Sequence, residues 1–362
     1  MHFTPPPILD TILAKASHQH ALTQKEITTI LQLRQPQLLE ALFSTARSIR
    51  QQYFGNHVFL YGFLYISTYC RNNCNFCFYR AQNTLSPRFR YRKAETEIIE
   101  AAIQLARSGV HLIDLTMGED PSGEHGFHSL IRLVQAIKTA VFLPIMISPG
   151  VVPPPILAQF AVAGASWFAC YQETHNPTLF QQLRPGQDYL TRLNSKHQAH
   201  QLGMLTEEGI LVGVGETSHD IAHSLTEMRA SNADQVRAMN FVPQQGTPMA
   251  HFPFPEPLTE LILIALMRIL FPDRLIPATL DVEGLAGLKR RMDAGANVVT
   301  SIVPPQQGLA GVAQSSLDID DARRTTDNVL TILTECGLQI ASHQQYQDWI
   351  KNRVLKNQEL KS

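Results

Sequence analysis

Apolar positions recur along this chain with two periods, and the switch between them divides it. Residues 1–56 carry the helical period alone. Thr23 and Glu26 form a capping-box pattern ahead of Ile27, Ile30 and Leu31, a pairing that satisfies two backbone donors at a helix start. A second helix is predicted over 36–53, with Leu38, Leu39, Leu42 and Ala46 on one face, stopping before Gly55. Beyond residue 56 short apolar runs alternate with helical segments. The runs lie at 58–66, 111–115, 144–147, 166–169, 209–212, 235–241, 275–279 and 298–302. Helical period fills 95–107, 126–140, 156–163 and 258–270 between them. Eight strands, each followed by a helix, is the arithmetic of a (β/α)8 barrel. A doubly wound open sheet fits seven of the runs nearly as well, and the count favours the barrel. After residue 301 the pattern predicts a Pro-Pro loop, a helix over 318–336 and a polar end. The expected organisation is an N-terminal helical extension over 1–56, an α/β barrel over 57–340, and a tail over 341–362 packed on the barrel or trailing it.

A barrel gathers its chemistry at the C-terminal ends of its strands, and polar residues do collect there. The second run carries Asp114 and ends toward Glu119; the third ends at Ser148; the fourth runs into Tyr171 and Glu173. The fifth ends in Gly213, Gly215 and Glu216, the sixth contains Arg237, and the seventh ends in Thr279 and Asp281. Taken singly, Glu119, Ser148 or Glu173 reads as a solvated loop residue, and a lone G-x-G is weak evidence for a nucleotide. Asp114 and Arg237 differ, because each is flanked by apolar residues on both sides. A charge in such a place must be paired or bound to something. A mutual salt bridge is one answer and a ligand is the other.

Three of the five cysteines, Cys70, Cys74 and Cys77, fall within eight residues, with Phe76 before the last. Thiolates suit zinc or iron–sulfur clusters. A closed zinc site wants four ligands, and no fourth Cys or His lies near. Three thiolates on a four-iron cube leave one iron open, and this C-x3-C-x2-C spacing is similar to the radical S-adenosylmethionine (SAM) signature. Cys170 and Cys336 are isolated and read as buried small hydrophobes. Apolar content of 44% supports a sizeable core, and a net charge of −1 argues against nucleic acid or an anionic membrane as partner. The N-terminus has no basic and apolar leader pattern, and the most apolar stretch, 261–270, contains Arg268 and is too short to span a bilayer. The expected location is the cytoplasm.

Longer strings narrow the reading. Residues 53–56, 67–70, 114–121, 144–150, 171–174, 246–248, 274–277 and 294–297 resemble the 3-methylornithine synthases. These are radical SAM mutases of pyrrolysine biosynthesis, within the biotin-synthase-like group. The resemblance spans nearly the whole chain and implies a (β/α)8 TIM barrel of radical SAM type, with a [4Fe-4S] cluster and SAM in its mouth. It implies that Cys70, Cys74 and Cys77 ligate the cluster and that Phe76 lies near the adenine. Glu119, Ser148, Tyr171, Glu173, Arg184 and Arg192 become the implied SAM set, and Asp114, Arg237, Thr279 and Asp281 the implied amino-acid pocket. Two positions depart from the family pattern: Thr279 stands where a serine is expected, and the stretch 80–88 is longer and contains Pro87.

The implied substrate is L-lysine, with two ammonium groups and one carboxylate facing Asp114, Asp281 and Arg237. The implied reaction removes hydrogen from C4, breaks the Cα–Cβ bond and rejoins the fragments as (3R)-3-methyl-D-ornithine. It draws one electron from a donor such as flavodoxin or ferredoxin. The alternative is another biotin-synthase-like radical SAM enzyme acting on a different small substrate.

Overall fold

The computed structural model describes residues 7–18, 20–83, 90–120, 126–304 and 323–359. Three helices come first: α1 (Pro7–Ser17), α2 (Gln24–Leu31) and α3 (Pro36–Phe54). The Thr23–Glu26 capping box forms as expected, and Pro36 opens α3 at a position where its missing N–H costs nothing. These helices pack outside the barrel, on its helices at Ser218–Ala230 and Pro257–Leu270.

The barrel follows as β1 (His57–Ser67), α4 (Glu95–Arg107), β2 (Leu112–Met117), α5 (Phe127–Ala140), β3 (Ile145–Ser148), α6 (Pro154–Ala163) and β4 (Ala165–Ala169). Two helices come next, α7 (Pro177–Leu183) and α8 (Tyr189–Gln201), then β5 (Leu205–Val212), α9 (Ser218–Ala230), β6 (Gln235–Asn240) and α10 (Pro257–Leu270). It ends with β7 (Pro277–Thr279), α11 (Leu288–Asp293) and β8 (Val298–Ile302). All eight strands pair in parallel, in the order β6-β5-β4-β3-β2-β1-β8-β7. The first and last of these meet through a bridge between Gln235 and Leu275, with Val236 N donating to Leu275 O at 3.1 Å. The sheet therefore comes round on itself, as the eight runs predicted.

Alternate residues of each strand point into a barrel. At the base these are Phe59, Tyr61, Leu112, Met146, Trp167, Leu205, Leu275 and Val298, which form one apolar cluster. Two residues further along, the same inward faces turn polar: Leu112 gives way to Asp114, Met146 to Ser148, Leu205 to Glu207 and Val298 to Thr300. Arg237 joins this layer from β6, where it pairs in register with Gly209. Asp114, Glu207, Arg237 and Thr300 are all buried. The strand period thus delivers a charged layer directly above an apolar plug.

The polar end expected after residue 336 is structured. A helix α12 (Thr326–Glu335) leads to β9 (Gln339–Ile340), which pairs with β1, and then to α13 (His343–Glu359). The predicted 318–336 helix begins outside the described residues. Helix α13 closes the barrel base. Its Tyr346 hydroxyl meets that of Tyr61 at 2.7 Å, and Trp349 stacks on Trp167 with ring centres 6.0 Å apart. Its polar residues have interior partners, which hydropathy could not show. Arg353 Nε lies 2.5 Å from Asp234 Oδ1, and Asn357 Nδ2 donates to the same oxygen at 2.9 Å. Among the described residues no helix is long and apolar enough to cross a membrane.

Candidate active site

Strand β1 runs straight into the cysteine loop, which neighbouring loops pin from several sides. Arg71 N donates to Glu119 O at 2.9 Å, Asn75 N to Leu183 O at 2.8 Å, and Met249 N to Asn75 O at 3.3 Å. Arg90 binds the carbonyls of Thr68 and Arg80 at 2.7 and 2.6 Å. Gly118 lets the end of β2 lie against this loop: a Cβ there would fall 2.2 Å from Tyr69 O. Gly150 has φ +82°, and its added Cβ would meet Glu119 Cγ at 2.2 Å, so both its backbone and its space require glycine. Asn83 ends the described part of the following stretch, so most of the expected longer 80–88 segment lies outside the described residues.

Cys70, Cys74 and Cys77 line one cavity, together with Phe76, Glu119, Ser148, Tyr171 and Glu173. Its empty space is about 1220 Å³ including the open mouth. Burial pushes the Cys77 thiol up, and the neighbouring Cys74 and Cys70 push it further. Three thiolates there need a cationic centre between them. Cys170, expected as a packing residue, also reaches this cavity wall. Cys336 caps the end of α12.

The residues implied for SAM come together on one side. Arg184 Nη2 donates to Glu173 Oε1 at 2.6 Å, its Nη1 reaches Cys74 Sγ at 3.3 Å, and its guanidinium sits 5.1 Å from the Phe76 ring centre. Glu173 holds a left-handed backbone at φ 67°, and its buried Oε2 has no protein partner. Burial raises its pKa, against the pull of Arg184 and Arg192. A strained, half-satisfied carboxylate facing a cavity leaves an acceptor open to a ligand. Glu119 accepts from Val151 N at 3.0 Å and from Arg71 Nε at 3.1 Å, with Arg192 Nη1 at 3.6 Å. Arg192 Nε binds Tyr171 O at 2.7 Å. Ser148 and Tyr171 face both ways. The Ser148 hydroxyl donates to Asp114 Oδ1 at 3.0 Å, and the Tyr171 hydroxyl to Glu207 Oε2 at 2.8 Å.

Beneath lies the layer implied for substrate. Arg237 pairs with Glu207, Nε to Oε1 at 2.6 Å, rather than with Asp114 as the ion-pair reading had it. Its Nη1 donates to Thr300 at 3.2 Å, while Nη2 has no protein partner. Glu207, followed by Tyr171, holds the guanidinium firmly charged against the cost of burial. Asp114 accepts from Thr116 and Ser148 on Oδ1, but Oδ2 is buried with no partner. Burial, reinforced by the nearby Glu207 charge, raises its pKa to about 7. Asp281 is already engaged: Tyr65 donates to Oδ1 at 2.7 Å, Arg324 Nη1 at 3.0 Å and Ser301 to Oδ2 at 2.8 Å. Thr279 accepts from Asp281 N at 3.2 Å and its hydroxyl meets Ser301 at 3.4 Å, so it supports the Asp281 turn.

The Radical SAM superfamily model matches residues 64–228. The 3-methylornithine synthase of Methanosarcina barkeri (strain Fusaro) is 42% identical over 332 residues, covering 92% of this chain and 94% of the relative. A crystal structure of methylornithine synthase superposes with a TM-score of 0.89 at 41% identity, covering 93% of this chain and 99% of that one. The chain belongs to the 3-methylornithine synthase family. The [FeFe] hydrogenase maturase subunit HydE of Thermotoga maritima is more distant, at 33% identity over 72% of this chain and 74% of the relative.

As a radical SAM enzyme of this family, the chain uses a [4Fe-4S] cluster and SAM. The three thiols suit the one and the open Glu173 oxygen suits an ammonium of the other. Four partners of these residues, Glu207, Glu208, Arg324 and Ser301, are not marked by any motif in the sequence. Glu207 was missed because Thr206, Glu207 and Glu208 look like a loop before the apolar run at 209, yet all three are buried strand residues. Two successive acids immediately before an apolar run were the available signal. Glu208 answers the buried Lys196 at 2.9 Å and accepts from Gln172 N at 2.7 Å, which fixes the backbone between Tyr171 and Glu173. Burial works against its charge, but Lys196 and His175 outweigh it and bring its pKa to about 2. Arg324 and Ser301 reach Asp281 only through the closed barrel, and nothing local in the sequence marks them.

Proposed function

We propose that this chain converts L-lysine to (3R)-3-methyl-D-ornithine for pyrrolysine biosynthesis. The observation that carries the substrate is the charge balance of the floor. Arg237 is matched by Glu207 and Asp281 by Arg324, so Asp114 is the carboxylate left over. Lysine carries one net positive charge and would complete the balance. Its carboxylate meets the open Nη2 of Arg237, and an ammonium meets the open Oδ2 of Asp114, with Asp281 as the second acceptor. A net-neutral amino acid adds no charge to this balance, so Asp114, whose pKa burial and Glu207 raise to about 7, would keep its proton and the match would be lost.

Cys70, Cys74 and Cys77 hold the cluster in this reading. Glu119, Ser148, Tyr171, Glu173, Arg184 and Arg192 hold the methionine part of SAM, and Phe76 lies against its adenine. When bound, these cofactors supply the one-electron cleavage and the hydrogen abstraction. In the substrate, loss of hydrogen from C4 lets the Cα–Cβ bond break into a glycyl radical and but-3-enylamine. Rejoining at the internal alkene carbon leaves a terminal CH2 radical, which takes the hydrogen back as the product's methyl. The protein's part is to keep both fragments in place, and a floor that binds each charged end does so. Flavodoxin or ferredoxin is the proposed electron donor and the cytoplasm the proposed compartment.

The test is a label. Lysine deuterated at C4 should pass deuterium to 5′-deoxyadenosine and on to the product methyl group. Product that keeps all its deuterium at C4 would overturn the abstraction site.

A further inference from the structure

We propose that Gln187 tunes the reduction potential of the cluster by donating a hydrogen bond to the Cys74 thiolate. The inference rests on the three-thiol cluster and is independent of which substrate binds. Gln187 lies between α7 and α8, and no sequence motif singles it out. Its Nε2 is 3.0 Å from Cys74 Sγ. Its Oε1 accepts from Arg192 Nη1 at 3.3 Å. Together these contacts settle which end of the amide faces which neighbour. A guanidinium only donates, so the oxygen must face Arg192 and the NH2 is left for the sulfur.

The backbone of Gln187 is held by other means. Its N donates to Arg184 O at 3.1 Å, and its O accepts from Gln181 Nε2 at 3.1 Å. The side chain is thus available for a purpose beyond anchoring the loop. Cys74 also receives Arg184 Nη1 at 3.3 Å, whereas Cys70 receives the backbone N of Asn72 at 3.4 Å. Cys74 thus receives two side-chain donors, whereas Cys70 and Cys77 receive backbone N–H groups, which substitution cannot remove. Reduction adds negative charge to the cluster and its sulfurs, and N–H···S donors stabilise that charge, so each donor raises the potential. Arg184 is committed to Glu173 and to the site's charge balance. Gln187 is neutral, so removing its donor changes the sulfur's environment without changing the net charge.

The experiment is an EPR-monitored redox titration of the anaerobically reconstituted protein without SAM, with iron and sulfide counted first. Gln187→Met keeps the length and removes the donor; Gln187→Glu removes the donor and adds negative charge. Gln181→Leu removes a contact to the Gln187 backbone but none to the sulfur. Gln187→Met should lower the reduced-to-oxidised ratio at fixed potential by about three- to tenfold, the larger figure being about 59 mV for one electron. Gln187→Glu should fall at least as far, and Gln181→Leu should titrate with the wild type. Wild-type potentials in both Gln187 variants at full iron content would overturn the proposal. So would equal shifts in all three variants, which would indicate loop packing. Should one Gln187 variant fail to take up iron, the other decides the comparison; failure of both would assign the residue to assembly and overturn tuning.

Discussion

Asp114→Asn tests the charge balance most directly, because the carboxylate and the amide have nearly the same shape. In the ligand-free protein burial and then Glu207 raise the Asp114 pKa to about 7. An arriving ammonium favours the charged form. Below pH 7 every lysine bound must therefore displace a proton from Asp114. Affinity should fall about tenfold for each pH unit below 7 and level off above it. In Asp114→Asn no proton is displaced, so the slope should vanish. The plateau should also drop, since an unmatched buried charge typically costs about 2–5 kcal/mol, or roughly 30- to several-thousand-fold in Kd.

Stability should move the other way. The folded carboxyl keeps its proton up to about pH 7, while the unfolded chain releases it near 3.8. The folded state binds more protons in that window, so stability is lost as pH rises through it, by about 4 kcal/mol at most. Ligand-free Asp114→Asn should then melt above the wild type at pH 8 and bind lysine worse. Calorimetric titration of lysine into protein carrying an oxidised cluster and SAM, from pH 5.5 to 8, reads the affinity without turnover. A flat wild-type profile, or a slope that survives in Asp114→Asn, would refute the reasoning.

Other outcomes follow from the same geometry. Alanine at Cys70, Cys74 or Cys77 should each abolish the brown cluster and SAM cleavage, while Cys170→Ala and Cys336→Ala should keep iron; optical spectra and iron assay decide. Arg237→Met should weaken lysine by about 30- to several-thousand-fold and leave SAM affinity nearly unchanged; the reverse pattern in a binding assay would mean the two residue sets are exchanged. Arg353→Met takes the guanidinium from the buried Asp234, which keeps His200, Asn357 and the Thr206 N–H, and should cost about 3 kcal/mol, the low end for a broken buried pair. Denaturant melts should show that loss, with lysine affinity in the folded fraction unchanged.

The barrel was legible because its strands are buried on both faces, and such strands read as apolar runs whatever their partners. The cysteine loop was legible because its chemistry is local. What hydropathy obscured lies where one inward face changes character. In β5 the apolar run begins only at 209, since Glu207 and Glu208 have the polarity of a solvent-facing loop, yet they occupy the middle of the barrel. The same bias turned α13 into a polar tail, although Arg353 and Asn357 are the residues that seat it on Asp234. In both cases the charged side chain has a partner from another strand or helix, distant in sequence, so its burial has no local signature.

The partners matter to function as well as to folding. Asp114 and Arg237 drew notice as charges out of place, and a mutual salt bridge would have explained them away. Instead Glu207 takes Arg237, and Asp114 keeps an open Oδ2 with no cation from the described residues paired to it. A pairing of Asp114 with Arg237 would have closed both groups to substrate. By recruiting a third charge from β5, the barrel keeps one donor of Arg237 and one acceptor of Asp114 open on the same floor. In the proposed function that arrangement receives both ends of a zwitterion, and it depends on Glu207, which the apolar pattern hides.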